Sequence, residues 1–147
     1  MNLAIFQPDI PQNTGAIIRS CACFNVGLDI IHPASFALSE KSLNRVAMDY
    51  ANKLNITEHN SWPDYKENIN GRIILLSTHG KIDHTNFKFN IDDNLLVGRE
   101  SAGVPDYVHR EVDEVIRIPM QKDTRSLNVS VASAIVMSEA NRQLNLV

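Results

Sequence analysis

Three segments of the chain concentrate groups that could hold an anion or act on a hydroxyl. The first is Pro11-Gln12-Asn13-Thr14-Gly15-Ala16-Ile17-Ile18-Arg19. A polar turn with a glycine opening a helix can present backbone N–H groups to an anion. Arg19 follows Gly15 by four residues, about one helical turn, and can point back to the same mouth. On its own an arginine on a helix is more often a solvated face residue. The second segment is Gly98-Arg99-Glu100-Ser101-Ala102-Gly103-Val104-Pro105. Its glycine spacing is that of half a phosphate-binding loop, but Val104-Pro105 stands where Lys-Ser/Thr is needed, so nucleoside triphosphate binding is excluded. The glycine pattern of a dinucleotide site is absent too. Two readings remain: a tight strand-to-helix connection with glycine at positive φ, or a loop whose backbone approaches a flat ligand with Glu100 as a buried acceptor. Glycines at both ends and a carboxylate between them favour the second.

The third segment runs from Arg117 to Ser130, where Thr124, Ser126, Asn128 and Ser130 crowd together just before an apolar helix. Ser126 or Asn128 can cap that helix. One cap suffices, so capping leaves the density of polar groups unexplained. Lys122 and Arg125 add positive charge at the same place. Other chemistries find no support. No G-x-S-x-G nucleophile elbow occurs. Cys21 and Cys23 sit two apart on an expected helix and do not face each other, so they read as small apolar residues. The five histidines (32, 59, 79, 84 and 109) fall in no metal-ligand spacing. No metal is expected.

The elements that must carry these segments alternate short apolar runs with amphipathic stretches, the pattern of an α/β sheet. Strands are predicted at Leu3–Phe6, Leu28–Ile31, Leu54–Thr57, Arg72–Ser77, Asn94–Gly98 and Val115–Ile118. Ile73-Ile74-Leu75-Leu76 and Leu95-Leu96-Val97 are apolar on both faces, as in the buried strands of a parallel sheet. Helices are predicted from Asn13 or Thr14 as N-cap to Asn25, from Ser39 to Ala51, behind Ser61, from Pro105 to Glu111, and from Leu127 to Leu144. The result is about six strands in a single domain, 1–147, with a mostly parallel sheet flanked by helices. In such a sheet ligands bind beyond the carboxyl ends of the strands, where all three segments lie.

Composition narrows the class. The chain has 147 residues, 44% apolar and 21% charged, with a formal net charge of −3 from 14 basic and 17 acidic side chains. No run approaches the ~18 apolar residues of a membrane span. The N-terminus lacks the basic region and cleavage site of a secretory signal, so a cytoplasmic protein is expected. A polybasic nucleic-acid surface is excluded at whole-chain level; any nucleic acid would be held by a local basic patch.

Taken together, the three segments resemble the three motifs of the SPOUT superfamily of RNA methyltransferases. The resemblance is nearest to the small bacterial tRNA enzymes that methylate the ribose 2′-OH of the wobble nucleotide (the TrmL type). Ile10-Pro11-Gln12-Asn13-Thr14-Gly15 through Arg19 resembles the first motif and Gly98-x-Glu100-x-x-Gly103 the second. Ile118-Pro119-Met120 with Arg125-Ser126-Leu127-Asn128-Val129-Ser130 resembles the third. Many relatives carry Pro-Glu-Thr-Arg between the second motif's glycines; here the arginine stands on the other side of Glu100. The last helix has Ser138 and Asn141 where relatives tend to have aromatics.

The resemblance implies a C-terminal deep trefoil knot, a rare exception to unknotted topology, and a homodimer. It implies S-adenosyl-L-methionine as cofactor and S-adenosyl-L-homocysteine as product, held by Leu76, Ser77, Gly98, Ile118 and the Ser126-Leu127 turn, largely through backbone. It implies Arg19 as the main catalytic residue, with Asn13, Glu100 and Asn128 organising the loops. The expected substrate is the anticodon stem-loop of tRNA, with cytidine or uridine 34 methylated. Arg19, Lys41, Arg45, Lys122, Arg125 and Arg142 are the expected RNA contacts. The alternatives are another RNA site for the same chemistry, or a non-catalytic RNA-binding dimer of the same fold.

Overall fold

The structure is a computed structural model that describes residues 1–37, 50 and 54–146. Apart from residue 50, the helix expected at 39–51, with Lys41 and Arg45, lies outside the described residues. In chain order the elements are β1 (Asn2–Phe6), α1 (Pro11–Phe24), β2 (Gly27–Ile31), β3 (Ile56–His59), α2 (Trp62–Asn68), β4 (Ile73–Leu76), β5 (Ile82–Asp83), β6 (Asn94–Val97), α3 (Asp106–Glu111), β7 (Glu114–Arg117) and α4 (Val129–Leu144). The strands form one sheet in the order β3-β2-β1-β6-β4-β7-β5, and every pairing is parallel.

Strand alternation sends successive side chains to opposite faces, and each face meets its own helices. Leu3, Ile5, Leu28, Ile30, Ile74, Leu95, Val97 and Ile116 pack with Ile17, Ile18 and Cys21 of α1 and Val136, Met137 and Ala140 of α4. On the other face Ala4, Phe6, Ile31, Ile73, Leu75 and Leu96 pack with Trp62 and Tyr65 of α2 and Val108 of α3. The chain leaves β1 toward β2 through a helix on the first face. It leaves β6 toward β7 through a helix on the second. The gap between the carboxyl ends of β1 and β6 is therefore the switch point of the sheet, where open α/β proteins bind ligands.

Several boundaries differ from the sequence expectation. Helix α1 starts at Pro11 behind Ile10, with no side-chain cap, and neither Asn13 nor Thr14 precedes it. Proline at the first helical position lacks only an N–H that would have no partner there, and the Thr14 N–H donates to the Ile10 carbonyl as the first helical bond. Strand β3 lies two residues later than expected: its register runs from Leu28–Ile56 to Ile31–His59, and buried His59 shares a hydrogen bond with Asp29 at 2.8 Å. The two-residue β5 was not expected at all. It exists by pairing with β7, where Arg117 Nε donates to Asp83 at 2.7 Å.

Leu96 is fully buried on the central strand β6. Leu96→Ala is expected to lower the unfolding free energy by roughly 2–5 kcal/mol, measured by urea denaturation. A loss under 1 kcal/mol would contradict its place in the core.

Candidate active site

A cavity of about 720 Å³ opens beyond the carboxyl ends of β4 and β6. Its wall is made by Leu75–His79 at the end of β4 and beyond, Val97–Val104 at the end of β6 and beyond, and Ile118, Met120 and Ser126–Val129 from the segment that leads from β7 into α4. Ile10 and Asn13 close it from the β1 side, and Asp106 and His109 from α3. All six residues expected to hold the cofactor (Leu76, Ser77, Gly98, Ile118, Ser126 and Leu127) lie in this wall, as do Asn13, Glu100 and Asn128.

The loop after β6 is tightly closed. Arg99 and Gly103 exchange backbone hydrogen bonds of 3.1 and 2.8 Å. Gly103 has φ +64°, and a Cβ on Gly98 would sit 2.4 Å from the Gly103 carbonyl carbon. Glycine is required at both positions, at Gly103 for the left-handed backbone and at Gly98 for the close approach. The conformation sends the Glu100 carboxylate across the switch point to the segment after β1. There Glu100 Oε2 accepts the Asp9 backbone N–H at 3.1 Å and Oε1 accepts Asn13 Nδ2 at 3.1 Å. Asp9 returns the bond, its Oδ1 accepting the Glu100 N–H at 3.1 Å, while the Ser101 hydroxyl donates to Oδ2.

The network continues to the third segment. Asn128 Nδ2 donates to Asn13 Oδ1 at 2.9 Å. Asn128 Oδ1 accepts the N–H groups of Ser130 and Val131 at 2.9 and 3.4 Å and the Ser130 hydroxyl at 2.6 Å. Asn128, not Ser126, is therefore the cap of α4. Its amide joins the third segment to the first, the second task that capping alone does not explain. In this network Glu100 and the two asparagines are held by one another, so their part is to fix three loops that are distant in sequence.

The electrostatics of the pair are unequal. The carboxyl of Asp9 is held down to about 2 by hydrogen bonding to Glu100 and Ser101. That of Glu100 is pushed above the usual carboxylate range, first by burial and then by the neighbouring Asp9. Asp9 is not among the residues the sequence singles out. Its signal was a polar side chain directly after a strand and before the motif.

The basic candidates lie elsewhere. Arg19 is exposed on α1 and is not part of the cavity wall; its guanidinium stands 5.3 Å from the ring centroid of Tyr50. Helix α1 starts at Pro11, which puts Arg19 eight residues on, about 12 Å along the axis at ~1.5 Å per residue. Arg125 and Lys122 are exposed on the segment that forms the rim. Arg142 is bound at 2.8 Å by both oxygens of Glu139, whose carboxyl this holds down to about 2. Its charge is thereby locally neutralised. Arg99, from the altered second segment, reaches toward β1, donating to Gln7 Oε1 with its guanidinium 5.8 Å from the Phe6 ring centroid. Among the described residues no group of three or more His, Cys, Asp or Glu side chains could hold a metal.

A second cavity of about 600 Å³ lies among Asn2, Asp29, His59, Asp64 and Asn94. Its buried Asp29 is already met by His59 at 2.8 Å and Asn2 at 2.9 Å, and none of the three segments reaches it.

The double role of Asn128 separates by substitution. Asn128→Ala removes the cap and is expected to cost about 1 kcal/mol, whereas Asn128→Asp keeps an acceptor for Ser130 and Val131 and loses only the donor to Asn13. Urea denaturation of both variants tests this; an equal loss in the two would contradict the capping role.

Known proteins resemble this chain over nearly its whole length. A tRNA (cytidine(34)-2′-O)-methyltransferase of Beijerinckia indica is 45% identical, with 97% of this chain and 91% of that protein aligned. The Escherichia coli K12 protein of the same name is 37% identical over 98% of this chain and 94% of its own length. A solved structure concerned with 2-OH methylation of C/U34 on tRNA superposes with a TM-score of 0.93 and 34% identity, covering 98% of this chain and 95% of the other. No helix among the described residues is long and apolar enough to cross a membrane. The profile of the SpoU rRNA Methylase family matches residues 1–138, the span that carries all three loops and their hydrogen-bonded junction, and the chain belongs to that family.

Proposed function

We propose that this protein is an S-adenosylmethionine-dependent tRNA 2′-O-methyltransferase that acts on the ribose of cytidine or uridine 34 in the anticodon loop. The observation that carries this is the cavity. Its volume lies in the ~300–1,000 Å³ range of small-molecule sites, and one wall joins backbone, small polar groups and apolar side chains at the switch point. That lining suits an adenosine, whose flat base is held by apolar contact and whose polar edges meet backbone groups. When bound, S-adenosylmethionine supplies an electrophilic methyl group on a sulfonium centre. Leu76, Ser77, Gly98, Ile118, Ser126 and Leu127 would hold it.

The remaining work falls to the chain's own side chains. A ribose 2′-OH is a poor nucleophile, so it must be held in line and its developing negative charge stabilised. A guanidinium is effectively always protonated, which suits Arg19 to orienting the 2′-oxygen and a neighbouring phosphate. Asn13, Glu100 and Asn128 keep the three loops in register. Arg125 and Lys122 supply positive charge at the rim, and Lys41 and Arg45 extend the RNA contact. Arg142 contributes less, being paired with Glu139.

We propose further that the chain acts as one domain, in the cytoplasm, and as a homodimer. Ile10 and Leu127 in the cavity wall and Val131 at the start of α4 are 41%, 39% and 47% exposed. Such apolar side chains around a site edge favour burial against a second copy. A dimer also accommodates Arg19, which stands outside the wall of its own cavity. A C-terminal trefoil knot is proposed on family membership, and α4 lies against the segment after β5. There Gln143 donates to the Phe87 carbonyl at 2.9 Å and accepts the Phe89 N–H at 3.2 Å.

Titration calorimetry with S-adenosylhomocysteine is expected to show binding, and a folded protein that binds neither this nor S-adenosylmethionine would overturn the reading. Arg19→Ala is expected to cut methyl transfer by about 10²-fold or more while binding of S-adenosylhomocysteine persists; full activity would remove Arg19 from its role. Mapping of 2′-O-methyl groups in tRNA from cells with and without the gene is expected to show loss at nucleotide 34. A change elsewhere in RNA instead would favour another site for the same chemistry.

A further inference from the structure

The reciprocal bonds between Asp9 and Glu100 are unusual in their economy. Each residue's carboxylate accepts the other's backbone N–H at 3.1 Å, across 91 positions of sequence. The Ser101 hydroxyl completes the Asp9 side, and Asn13 completes the Glu100 side. Glu100 thus has two tethers, its backbone held by Asp9 and its carboxylate held by the Asp9 N–H and by Asn13. Without the Asp9 carboxylate the Glu100 N–H and the Ser101 hydroxyl both lose an acceptor, and the loop Gly98–Gly103 is held to the segment after β1 only by the Glu100 carboxylate and by Arg99.

Resting on the methyltransferase reading, we propose that Asp9 is a positioning residue for the methyl transfer: it locks the backbone of Glu100 and, through Glu100, orients Asn13 in the cavity wall. Asp9 does not itself line the cavity, so it acts through its neighbours.

The pair also gives the proposal a pH readout. Facing Glu100 are Asp9 and Asn13 from the segment after β1, and Ser101 from its own loop, with the Arg99 guanidinium turned away to Gln7. Asp9 is the negative charge in that set, and burial and Asp9 together raise Glu100. On acidification Glu100 takes the proton before Asp9, and a neutral carboxyl accepts from Asn13 and from the Asp9 N–H less strongly. Removing the charge at position 9 makes ionised Glu100 easier to keep, so Glu100 stays charged to lower pH.

The test uses the full-length protein, tRNA substrate and two variants. Asp9→Ala is expected to lower kcat at least tenfold, with KM for tRNA and the Kd for S-adenosylhomocysteine each changed less than threefold. Asp9→Asn, which keeps an acceptor for the Glu100 N–H, is expected to restore most of kcat at pH 8 and to move the acid limb of the kcat profile to lower pH. If Asp9→Ala does not fold by circular dichroism, Asp9→Asn and its acid limb decide alone. A kcat within twofold of wild type for Asp9→Ala, or an acid limb unmoved in Asp9→Asn, overturns the proposal. Wild-type protein that neither binds S-adenosylhomocysteine nor methylates tRNA instead defeats the methyltransferase reading on which it rests.

Discussion

A carboxylate placed between two N–H donors holds the site together. Glu100 leaves the end of β6 and meets Asp9 and Asn13, which follow β1. These two strands are neighbours in the sheet, but their connections depart to opposite faces. That divergence opens the crevice and leaves the loops on its two sides without any shared secondary structure. Side-chain hydrogen bonds are what remains to join them, and a charged acceptor makes bonds roughly twice as strong as neutral ones. The same junction reaches α4 through Asn13 and Asn128. Loss of Glu100 would strand an amide and a backbone N–H at once, a larger penalty than the net worth of either bond.

The division of charge follows from that geometry. The cavity wall is built from glycines, small polar residues and apolar side chains, and Arg99, the guanidinium that belongs to it, is tied back to Gln7. Exposed positive charge lies outside, on the rim segment with Lys122 and Arg125 and on α1 with Arg19. A net charge of −3 is compatible with a polyanionic substrate on these terms, because exposed charges act over about a Debye length, ~8–10 Å at ordinary salt. A grip of this kind is local and sensitive to salt. Pairing of Arg142 with Glu139 confines it further.

The sequence and the structure part company where a partner distant in sequence decides the outcome. The apolar runs at Ile73–Leu76 and Asn94–Val97 were legible as central strands because burial on both faces leaves no polar alternation. The cap of α2 at Ser61 was legible because capping is local, with Ser61 Oγ accepting the Asp64 N–H at 3.3 Å. The start of α1 was misplaced because polar Asn13 resembles a cap, whereas its amide is engaged by Glu100 and Asn128 from other segments. Strand β3 ends at His59, which is buried against Asp29 of β2 through a 2.8 Å hydrogen bond, and the two-residue β5 is defined by the strand it pairs with.

By itself, the sequence determined the α/β class, the order of the three motif segments, and the six cavity residues Leu76, Ser77, Gly98, Ile118, Ser126 and Leu127. Local periodicity and loop composition suffice for the class and the segments, since strand ends and glycine turns lie close to their own causes; the six residues follow from what the motif resemblance implies. Only the tertiary structure decided that Asp9 and Glu100 bind each other and that Asn128 both caps α4 and holds Asn13. It alone set Arg19 outside the cavity wall and Arg142 against Glu139. Each of these rests on where a helix begins or on a bond between atoms tens of residues apart, or on which of several charged neighbours a flexible side chain meets. Such choices are made by the packed sheet, which brings its strand ends to one edge and leaves their side chains only those partners.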